Sequence, residues 1–415
     1  MARLSLKRCM IGFTLILCFW LVWKVKYKNQ GFMKYLPKVN FSSVVTPYEY
    51  QMKGDFLPPH LRKQKLILFF TSHFYSDIWK GLGPDVLPGY TQNAHCNIKE
   101  CSMTYDKKRI NEADLVIFHG VDFEYKNYTD KHFQAMLKKK PSHQRWVFWM
   151  HETPVYYPEP GNYDNLFNWT MTFSQGSDIY HPYYSYRRLT ADDDRPGKYM
   201  NYALGRTKKI AWMVSHCGMT RGEYVMELQK YTDVTVYGLC GASYDNMAGI
   251  CSRVESECMD QLNQYRFYLA FENSFCEDYV TEKYYKFGIM YGAVPIVMGA
   301  RYNALNSIPG SYIDASTFPS VQALGEYINF LSENDYYYNQ YFEWKNHFKM
   351  DDGIDKICLL CHAAHDVTRK SSFHKHFHAF WSKQAMCDPY EPVIQKFGHQ
   401  IEQSKLSRIG EGTKS

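Results

Sequence analysis

The segment from Phe267 to Lys283 carries the residues whose types and order are best suited to chemistry. It begins with an apolar run, Phe267–Phe271, that predicts a buried strand, and it continues through a polar loop. A helical pattern begins at Thr281-Glu282-Lys283. Open α/β sheets bind anions where a strand leads into a helix N-terminus, and the lysine adds a full positive charge to the helix dipole. The spacing therefore predicts a nucleotide-type anionic ligand at this turn.

Short apolar runs of strand length alternate with helical patterns along most of the chain. The runs are Leu66–Phe70, Ala113–His119, Trp146–Met150, Ile210–Ser215, Val234–Gly238, Phe267–Phe271 and Val294–Met298. The helical patterns are Arg221–Tyr231, Thr281–Tyr291 and Val321–Leu331. Unbroken apolar strands that alternate with helices are typical of parallel sheets covered on both faces. Two such sets, divided near Arg195-Pro196-Gly197-Lys198, predict an α/β fold of two Rossmann-like domains that face a cleft.

The composition is that of a globular protein with two domains and extensions. The chain has 415 residues, of which 45% are hydrophobic and 22% are charged. The net charge of +6 comes without a basic patch or stripe, which argues against a nucleic-acid partner. The 36 tyrosines, 26 phenylalanines and 9 tryptophans suit grooves that stack on sugar faces, although most of them must form the core.

The N-terminal residues predict a membrane anchor. Cys9–Trp23 is apolar and uncharged, and it lies between Lys7-Arg8 and Lys24. As a helix it covers about 22 Å at ~1.5 Å per residue, which is enough for a thin bilayer when flanking lysines snorkel. A cleaved signal peptide is the alternative, but no small-x-small cleavage site follows. We predict a cytosolic tail over 1–8, a transmembrane signal anchor over 9–25 and a stem over 26–63.

Glycosylation sequons and cysteines predict the side of the membrane on which the folded part lies. Asn40, Asn127 and Asn168 each begin an Asn-x-Ser/Thr sequon, and ten of the twelve cysteines follow the anchor. Together they favour an oxidising, glycosylating lumen. The basic residues that flank the anchor are balanced and do not set its orientation. We therefore expect a type II membrane protein of the secretory pathway.

The segment around Lys283 resembles the signature of the α1,3-fucosyltransferases. That signature runs Phe-Glu-Asn-Ser, then Tyr-x-Thr-Glu-Lys, and closes on Val-Pro, two hydrophobic residues, any residue and Gly. The matching residues are Phe271–Ser274, Tyr279–Lys283 and Val294–Gly299. The resemblance extends over roughly 66–381. It includes Trp212–Cys217 with Arg221, as in the family's donor domain, and His151–Pro154, as in its acceptor domain.

The resemblance implies an inverting Golgi enzyme of the GT-B type. GDP-fucose would bind the domain over 198–350, and a glycan that contains GlcNAc would bind the domain over 64–197. A C-terminal extension with a Cys-x-x-Cys motif would cover 351–415. The family implies no required cofactor, and stimulation by a divalent cation such as Mn²⁺ stays open. The acceptor GlcNAc, antennal or in the N-glycan core, also stays open. The alternative is a catalytically inactive, membrane-anchored glycan-binding protein on the same fold.

The resemblance also implies roles for individual residues. Fucosyl transfer expels a diphosphate while the sugar takes on oxocarbenium-like charge, so Lys283 and Arg221 would stabilise the leaving group. Glu152 would remove the proton of the acceptor hydroxyl, unless it only caps the loop before Pro154. The residues implied in GDP-fucose binding are Ser215, Arg221, Asn273, Tyr279, Thr281, Glu282 and Lys283. Tyr184, Tyr284-Tyr285 and Phe287 depart from the family pattern, and we expect them to affect acceptor recognition.

Cysteine, histidine and aspartate clusters could imitate metal sites. Cys358-x-x-Cys361-His362 fits a haem or zinc motif, but an oxidising lumen and the family's own Cys-x-x-Cys favour a local disulfide. Cys96 and Cys101 are expected to pair similarly, and Cys240, Cys251, Cys258 and Cys387 could add bonds. Asp192-Asp193-Asp194 contains the Asp-x-Asp of metal-dependent transferases, yet it follows no apolar strand. We expect a solvated loop there and no metal site.

Overall fold

The structure is a computed structural model. It describes residues 30–76, 85–86, 96–125, 131–158, 163–197, 200–217, 220–244, 260–299, 301–351, 356–370 and 372–412. The predicted tail over 1–8, the predicted anchor over 9–25 and the first part of the predicted stem lie outside these residues, as do Asn127, Cys251 and Cys258. Among the described residues, no helix combines the length and the apolar character that a membrane span requires.

The first domain is built on a seven-stranded sheet. Its strands are β1 Lys65–Phe69, β2 Asp85–Val86, β3 Cys101–Thr104, β4 Leu115–His119, β5 Arg145–Met150, β6 Trp169–Thr172 and β7 Ile179–Tyr180. They lie in the order β2-β3-β1-β4-β5-β6-β7, and all neighbours are parallel except β2 and β3. Every residue of β4 is buried, as an interior strand covered on both faces requires.

The second domain is built on a five-stranded parallel sheet. Its strands are β9 Lys208–Met213, β10 Val234–Tyr237, β11 Tyr265–Phe271, β12 Val294–Met298 and β13 Ile313–Asp314, in the order β10-β9-β11-β12-β13. Alternate residues of β11 enter two different apolar clusters, one on each face of the sheet. The two parallel sheets confirm the predicted α/β fold.

Helices and one small sheet complete the described structure. The α-helices are α1 Pro47–Gln51, α2 Gly120–Tyr125, α3 Lys131–Lys138, α4 Thr220–Leu228, α5 Val321–Glu333, α6 Asp335–Asn339, α7 Lys356–His365, α8 Phe377–Phe380, α9 Lys383–Met386 and α10 Glu391–Gly412. A π-helix spans Lys283–Met290. Short 3₁₀ turns include Met33–Tyr35, Phe41–Ser43, Pro59–Leu61, Lys107–Arg109, Gly241–Tyr244, Leu262–Gln264, Ala315–Thr317, Gln340–Asn346 and Asp388–Tyr390. The strands β8 Ser185–Arg188 and β14 Phe348–Asp351 pair antiparallel.

Both parallel sheets reverse their winding at one point. In the first sheet β1 lies between β3 and β4, and in the second sheet β9 lies between β10 and β11. At such a point the loops that follow two neighbouring strands diverge to opposite faces and leave a crevice at the carboxyl ends. The fold therefore has two crevices, one beyond β1 and β4 and one beyond β9 and β11.

The C-terminal segment packs against both domains. Leu359 and Leu360 of α7 join the core on one face of the first sheet. Phe377 and Trp381 join the core on its opposite face. The last helix, α10, then packs Phe397 into the core of the second domain. Residues 356–412 therefore tie the two domains together, and they do not form a separate appendage.

The disulfide pairing within Cys96–Cys101 and within Cys358–Cys361 was predicted wrongly. Cys96 bonds Cys358 and Cys101 bonds Cys361, with Cα–Cα distances of 5.7 and 5.8 Å. Cys358 and Cys361 are three residues apart on α7, so they share the helix face that packs on the first sheet, beside the other two cysteines. Two further bonds join Cys217 to Cys240 and Cys276 to Cys387. The presence of disulfides is confirmed, and each bond from α7 closes a loop of about 260 residues.

The described part of the predicted stem is folded onto the body of the protein. Phe32 is buried in the core of the second domain. Thr46 and Glu49 form a capping box at the start of α1, and Glu49 also accepts a hydrogen bond from Arg188 at 3.0 Å. The apolar residues that hold this segment in place are isolated and follow no helical or strand periodicity, so the sequence alone predicted a linker. From residue 30 onward that prediction was wrong.

The disulfide pairing can be tested by peptide mapping without reduction. Trypsin cleavage after lysine and arginine yields peptides 81–99, 100–107 and 357–369, which contain Cys96, Cys101 and both cysteines of α7, respectively. We expect all three peptides in one disulfide-linked complex that separates on reduction, because each α7 cysteine bonds a different partner. Local pairing would instead release 357–369 alone with an internal bond, and mass spectrometry distinguishes the two.

Candidate active site

Arg221 lies in the crevice beyond β9 and β11. It stands in the first turn of α4, and its side chain is buried. The guanidinium donates hydrogen bonds to the backbone oxygens of Phe271 at 2.9 Å and His216 at 3.3 Å. These two oxygens belong to the last residue of β11 and to the loop after β9, so one side chain links both walls of the crevice. The disulfide between Cys217 and Cys240 anchors the loop after β9.

Glu272 is the central carboxylate of the crevice. It follows β11 directly, and its side chain is fully buried. It accepts hydrogen bonds from the backbone N–H of Thr281 at 2.9 Å and from the Thr281 hydroxyl at 2.8 Å. The ammonium of Lys283 lies 3.2 Å from the same carboxylate and 3.0 Å from Glu282. Glu272 therefore holds the start of the π-helix against the end of β11.

The charges of Glu272, Glu282 and Lys283 shift one another's pKa values. Burial lowers the pKa of Lys283, but the charges of Glu272 and Glu282 outweigh burial and leave that pKa above its usual value. Burial raises the pKa of Glu282, yet Lys283 reverses the shift and the pKa ends below the usual value. For Glu272 burial dominates and the pKa is raised, although Lys283 opposes the shift. Lys283 thus stays a cation across the neutral range.

Glu152 approaches the same region from the first domain. It lies two residues after β5 and accepts a hydrogen bond from the Tyr279 hydroxyl of the second domain at 3.1 Å. Burial raises the pKa of Glu152, while Tyr279 and Lys283 partly offset that rise. The preceding residue is fixed by the hydroxyl of Tyr183, which donates to the His151 backbone oxygen at 2.7 Å. A carboxylate with a raised pKa is therefore positioned opposite two cations.

A cleft of about 530 Å³ brings these side chains together. It is lined by Glu152, Tyr184, Met213, Val214, Ser215, His216, Arg221, Asn273, Tyr279, Glu282, Lys283, Lys286 and Phe287. Every residue that was predicted to act in catalysis or to bind GDP-fucose lies on this lining except Thr281. Thr281 is buried, and its hydroxyl donates a hydrogen bond to Glu272. A second cavity of about 220 Å³ shares Arg221 and Asn273 with the cleft and reaches Lys383 of α9.

The sequence analysis missed the role of Glu272 and did not predict the burial of two tyrosines. One feature of the sequence could have indicated this role: Glu272 is a carboxylate directly after a predicted apolar strand, in the same segment as Lys283. Tyr284 and Tyr285 are fully buried, and the Tyr285 hydroxyl donates to the backbone oxygen of Asn306 at 2.9 Å. They belong to the core and do not line the cleft, so any effect on acceptor recognition would have to be indirect. Tyr184 and Phe287 do line the cleft.

The remaining predicted sites lie outside this cleft. Asn40 is exposed, whereas Asn168 is 3% exposed and its side-chain oxygen accepts the backbone N–H of Trp146 at 2.9 Å. The structure therefore contradicts the sequon at Asn168 as a surface site. Asp193 binds Arg187 at 2.6 Å and Lys349 at 3.2 Å in a charged loop. The grouping of Cys101, Cys361 and His365 resembles a metal site, but the two sulfurs are bonded to each other.

Two family models match this chain, and known proteins are similar to it. The family model "Fucosyltransferase, N-terminal" matches residues 62–184, and "Glycosyltransferase family 10 (fucosyltransferase) C-term" matches residues 203–380. Glycoprotein 3-alpha-L-fucosyltransferase A of Drosophila melanogaster is 31% identical over 77% of this chain, which spans 65% of that relative. Alpha-(1,3)-fucosyltransferase 4 of Bos taurus is 30% identical over 64% of this chain and 74% of that relative. A solved structure of an alpha1,3-fucosyltransferase with GDP aligns at 16% identity with a TM-score of 0.43, over 86% of this chain and 95% of that chain.

A double-mutant cycle tests the ion pair between the buried Glu272 and the half-buried Lys283. Glu272→Gln and Lys283→Met should each lower the free energy of unfolding. Lys283→Met leaves the buried Glu272 carboxylate without its counter-charge, and Glu272→Gln leaves Lys283 with Glu282 alone to offset its charge. The double variant should recover part of the loss, with a coupling energy of about 1–3 kcal/mol measured by urea denaturation. The exposed pair of Arg109 and Glu112, 2.9 Å apart, is the control. The variants Arg109→Met and Glu112→Gln should couple by less than about 0.5 kcal/mol, and equal coupling in both cycles would contradict the role of Glu272.

Proposed function

The chain belongs to glycosyltransferase family 10, the fucosyltransferases, and we propose that it is an α1,3-fucosyltransferase of the GT-B type. It transfers L-fucose with inversion from GDP-β-L-fucose to a GlcNAc residue of a glycoprotein or glycolipid glycan. The observation that carries the proposal is the single cleft in which Glu152 of the first domain faces Arg221 and Lys283 of the second. Both matched family domains contribute to this cleft.

The transfer is one displacement at the anomeric carbon. The acceptor hydroxyl attacks that carbon, and the bond to the β-phosphate oxygen breaks with its electron pair leaving on GDP. Attack from the face opposite the leaving group converts the β-linked donor into an α-linked product. The acceptor proton goes to Glu152, whose raised pKa brings it closer to the pH at which a general base works best.

The second domain supplies the charges that the departing diphosphate needs. Arg221 is buried and Lys283 is half-buried, and both line this cleft, since Glu272 compensates the lysine and two backbone oxygens hold the arginine. Fixed donors of this kind stabilise charge as it develops, and loss of one such donor typically lowers kcat by about 10²–10³. Glu282, Asn273, Tyr279 and Ser215 line the same cleft and would hold the rest of the donor.

Positive side chains can perform this role without a metal, so the proposal includes no required cofactor. A divalent cation such as Mn²⁺ would at most stimulate the reaction. The first domain would bind the glycan, and the donor would bind the second. The proposal also includes a single N-terminal membrane span and a lumenal catalytic region in the Golgi. The four disulfides among the described residues are consistent with an oxidising compartment.

The role of Glu152 as the base predicts both activity and pH dependence. Purified protein with GDP-fucose should fucosylate N-acetyllactosamine or N-glycan acceptors, in the presence and in the absence of EDTA. Glu152→Gln should abolish turnover and leave GDP binding nearly unchanged, because the cations are untouched. The base works only when ionised, so kcat/KM should fall as the pH drops through its raised pKa, above the ordinary value of 4.5.

The control for that experiment is Tyr279→Phe. It removes the hydrogen bond that lowers the pKa of Glu152, so the acidic limb of the pH profile should move to higher pH. Full turnover in Glu152→Gln would exclude Glu152 as the base. Absence of transfer to every acceptor, with GDP still bound, would instead favour a glycan-binding protein.

The proposed lumenal topology can be tested by the occupancy of the sequons. Asn40 is exposed and should carry an N-glycan in cells, whereas Asn168 should not, because its amide is buried against Trp146. Asn40→Gln should therefore remove one glycan mass that peptide-N-glycosidase also removes, and Asn168→Gln should leave the mass unchanged apart from the substitution. A glycan at Asn168 in folded protein, or an unmodified Asn40, would contradict this prediction.

A further inference from the structure

The second domain carries an exposed apolar surface close to the point where the chain enters the fold. This surface, the apolar face, consists of Met200, Leu204 and Tyr336. We propose that the apolar face rests in the headgroup region of the lipid bilayer that holds the predicted anchor, so that the folded body is docked on the membrane. The proposal rests on the single N-terminal span of the proposed function.

The chain enters the fold within a short distance of the predicted anchor. A helical turn begins at Gln30, which is exposed, and two residues later Phe32 is buried. The Phe32 ring lies 5.7 Å from that of Tyr327 and 5.1 Å from that of Phe330, both on α5. The anchor is predicted to end at residue 25, and even a fully extended chain from there to Phe32 reaches at most about 25 Å. This side of α5 therefore stays near the bilayer.

Aromatic contacts and a hydrogen bond connect the entry point to the apolar face. The Phe330 ring lies 5.1 Å from that of Tyr337, which lies 5.1 Å from that of Tyr336 on α6. Asp335 of the same helix accepts a hydrogen bond from the side-chain N–H of Asn201 at 2.9 Å. That bond fixes the segment with the other two residues of the apolar face beside α6. The apolar face thus borders the surface at which the chain enters.

The apolar face lies at the end of the second sheet that is opposite the cleft. Arg206, shortly before β9, donates hydrogen bonds of 2.7 Å to two backbone oxygens. One belongs to Tyr265, where β11 begins, and the other to Tyr291, shortly before β12. The segment before β9 therefore packs at the amino ends of the strands, whereas the cleft lies at their carboxyl ends. A body that rests on its apolar face points its cleft away from the bilayer, where glycans can reach it.

The side chains of the apolar face are suited to lipid. Leu204 is 83% exposed and Tyr336 is 75% exposed, the two largest values among the large hydrophobic side chains that the structure describes, and Met200 is 54% exposed. Scattered exposed apolar residues are common, but a group of them within reach of a bilayer marks a membrane contact. Tyrosine is favoured at the membrane interface, where its ring is apolar and its hydroxyl is hydrated. Nearby exposed charges have both signs, as in Lys34 and Glu333, so apolar insertion and not attraction to anionic lipid holds the face.

The short connection to the anchor makes a small apolar contact sufficient. Because the anchor already confines the body to the bilayer surface, docking loses little further translational freedom. Burial of one leucine side chain then suffices for a docked state about ten times as populated as the undocked state. The same contact would be too weak to bring the body to a membrane without the anchor.

Hydroxyl-radical footprinting of the full chain in phosphatidylcholine nanodiscs, one copy per disc, tests the docking. The reference is the same protein after release from the disc at a protease site engineered between the anchor and Gln30. In the disc, the three residues of the apolar face should oxidise about tenfold more slowly than after release, because lipid covers them. Leu239 and Tyr75 lie beyond the carboxyl ends of β10 and β1 and are 63% and 59% exposed, and they should oxidise equally in both states.

Two matched double variants separate the apolar face from general crowding by the disc. Leu204→Ser with Tyr336→Ser should return the oxidation rate of Met200 in the disc to that of the released protein. Leu239→Ser with Tyr75→Ser replaces the same residue types at the other end of the sheets and should leave the protection of Met200 intact. All four side chains are exposed, so both variants should keep the wild-type melting temperature.

Each contrary result points to a different error. Equal oxidation of the apolar face in the disc and after release would overturn the docking, as would protection that persists in Leu204→Ser with Tyr336→Ser. Protection found only in discs that hold two copies would assign the face to a second copy of this chain and would overturn the docking as well. Failure of the full chain to stay in the disc would instead overturn the proposed membrane span.

Discussion

The buried carboxylate of Glu272 is the constraint on which the site depends. A desolvated carboxylate needs hydrogen bonds and a counter-charge, and Thr281 and Lys283 supply them across the loop between β11 and the π-helix. Because these contacts leave little freedom to the loop, Lys283 faces the cleft in a defined position. The site can therefore hold Arg221 and Lys283 on the lining of one cleft, and the charge of Glu272 offsets the repulsion that Lys283 receives from Arg221.

In the proposed reaction the two domains contribute different parts of the chemistry, so their relative placement matters as much as either sheet. The hydrogen bond from Tyr279 to Glu152 crosses the cleft at the site itself. The C-terminal segment crosses between domains again, since α7 is bonded to the first domain through Cys358 and Cys361 and α10 packs on the second. The bond of Cys276 to Cys387 ties the loop after β11 to the same segment. The proposed base and the cations are thus held by one continuous framework.

Much of the fold and the site could be predicted where the signal is local. Each of the seven predicted apolar runs overlaps an observed strand, and four runs extend one or two residues beyond it. A strand buried on both faces must be apolar along its length, which is why these runs were recognisable. Lys283, Glu282 and Arg221 were placed correctly in the cleft because residues near the carboxyl ends of parallel strands converge. The burial of Tyr284 and Tyr285 was not predicted, since their place in the core depends on a loop more than twenty residues away.

The sequence by itself determined the strand pattern, the order of the motif and the family, because these depend on residue types at short spacing. Only the tertiary structure decided the partners of the cysteines, the burial of Asn168, the packing of the predicted stem and the counter-charge of Lys283. The same holds for the turn after β1, where Phe74 and Tyr75 adopt positive φ values that their side chains disfavour. Such features arise from contacts between distant segments, and no local pattern encodes which segments will meet.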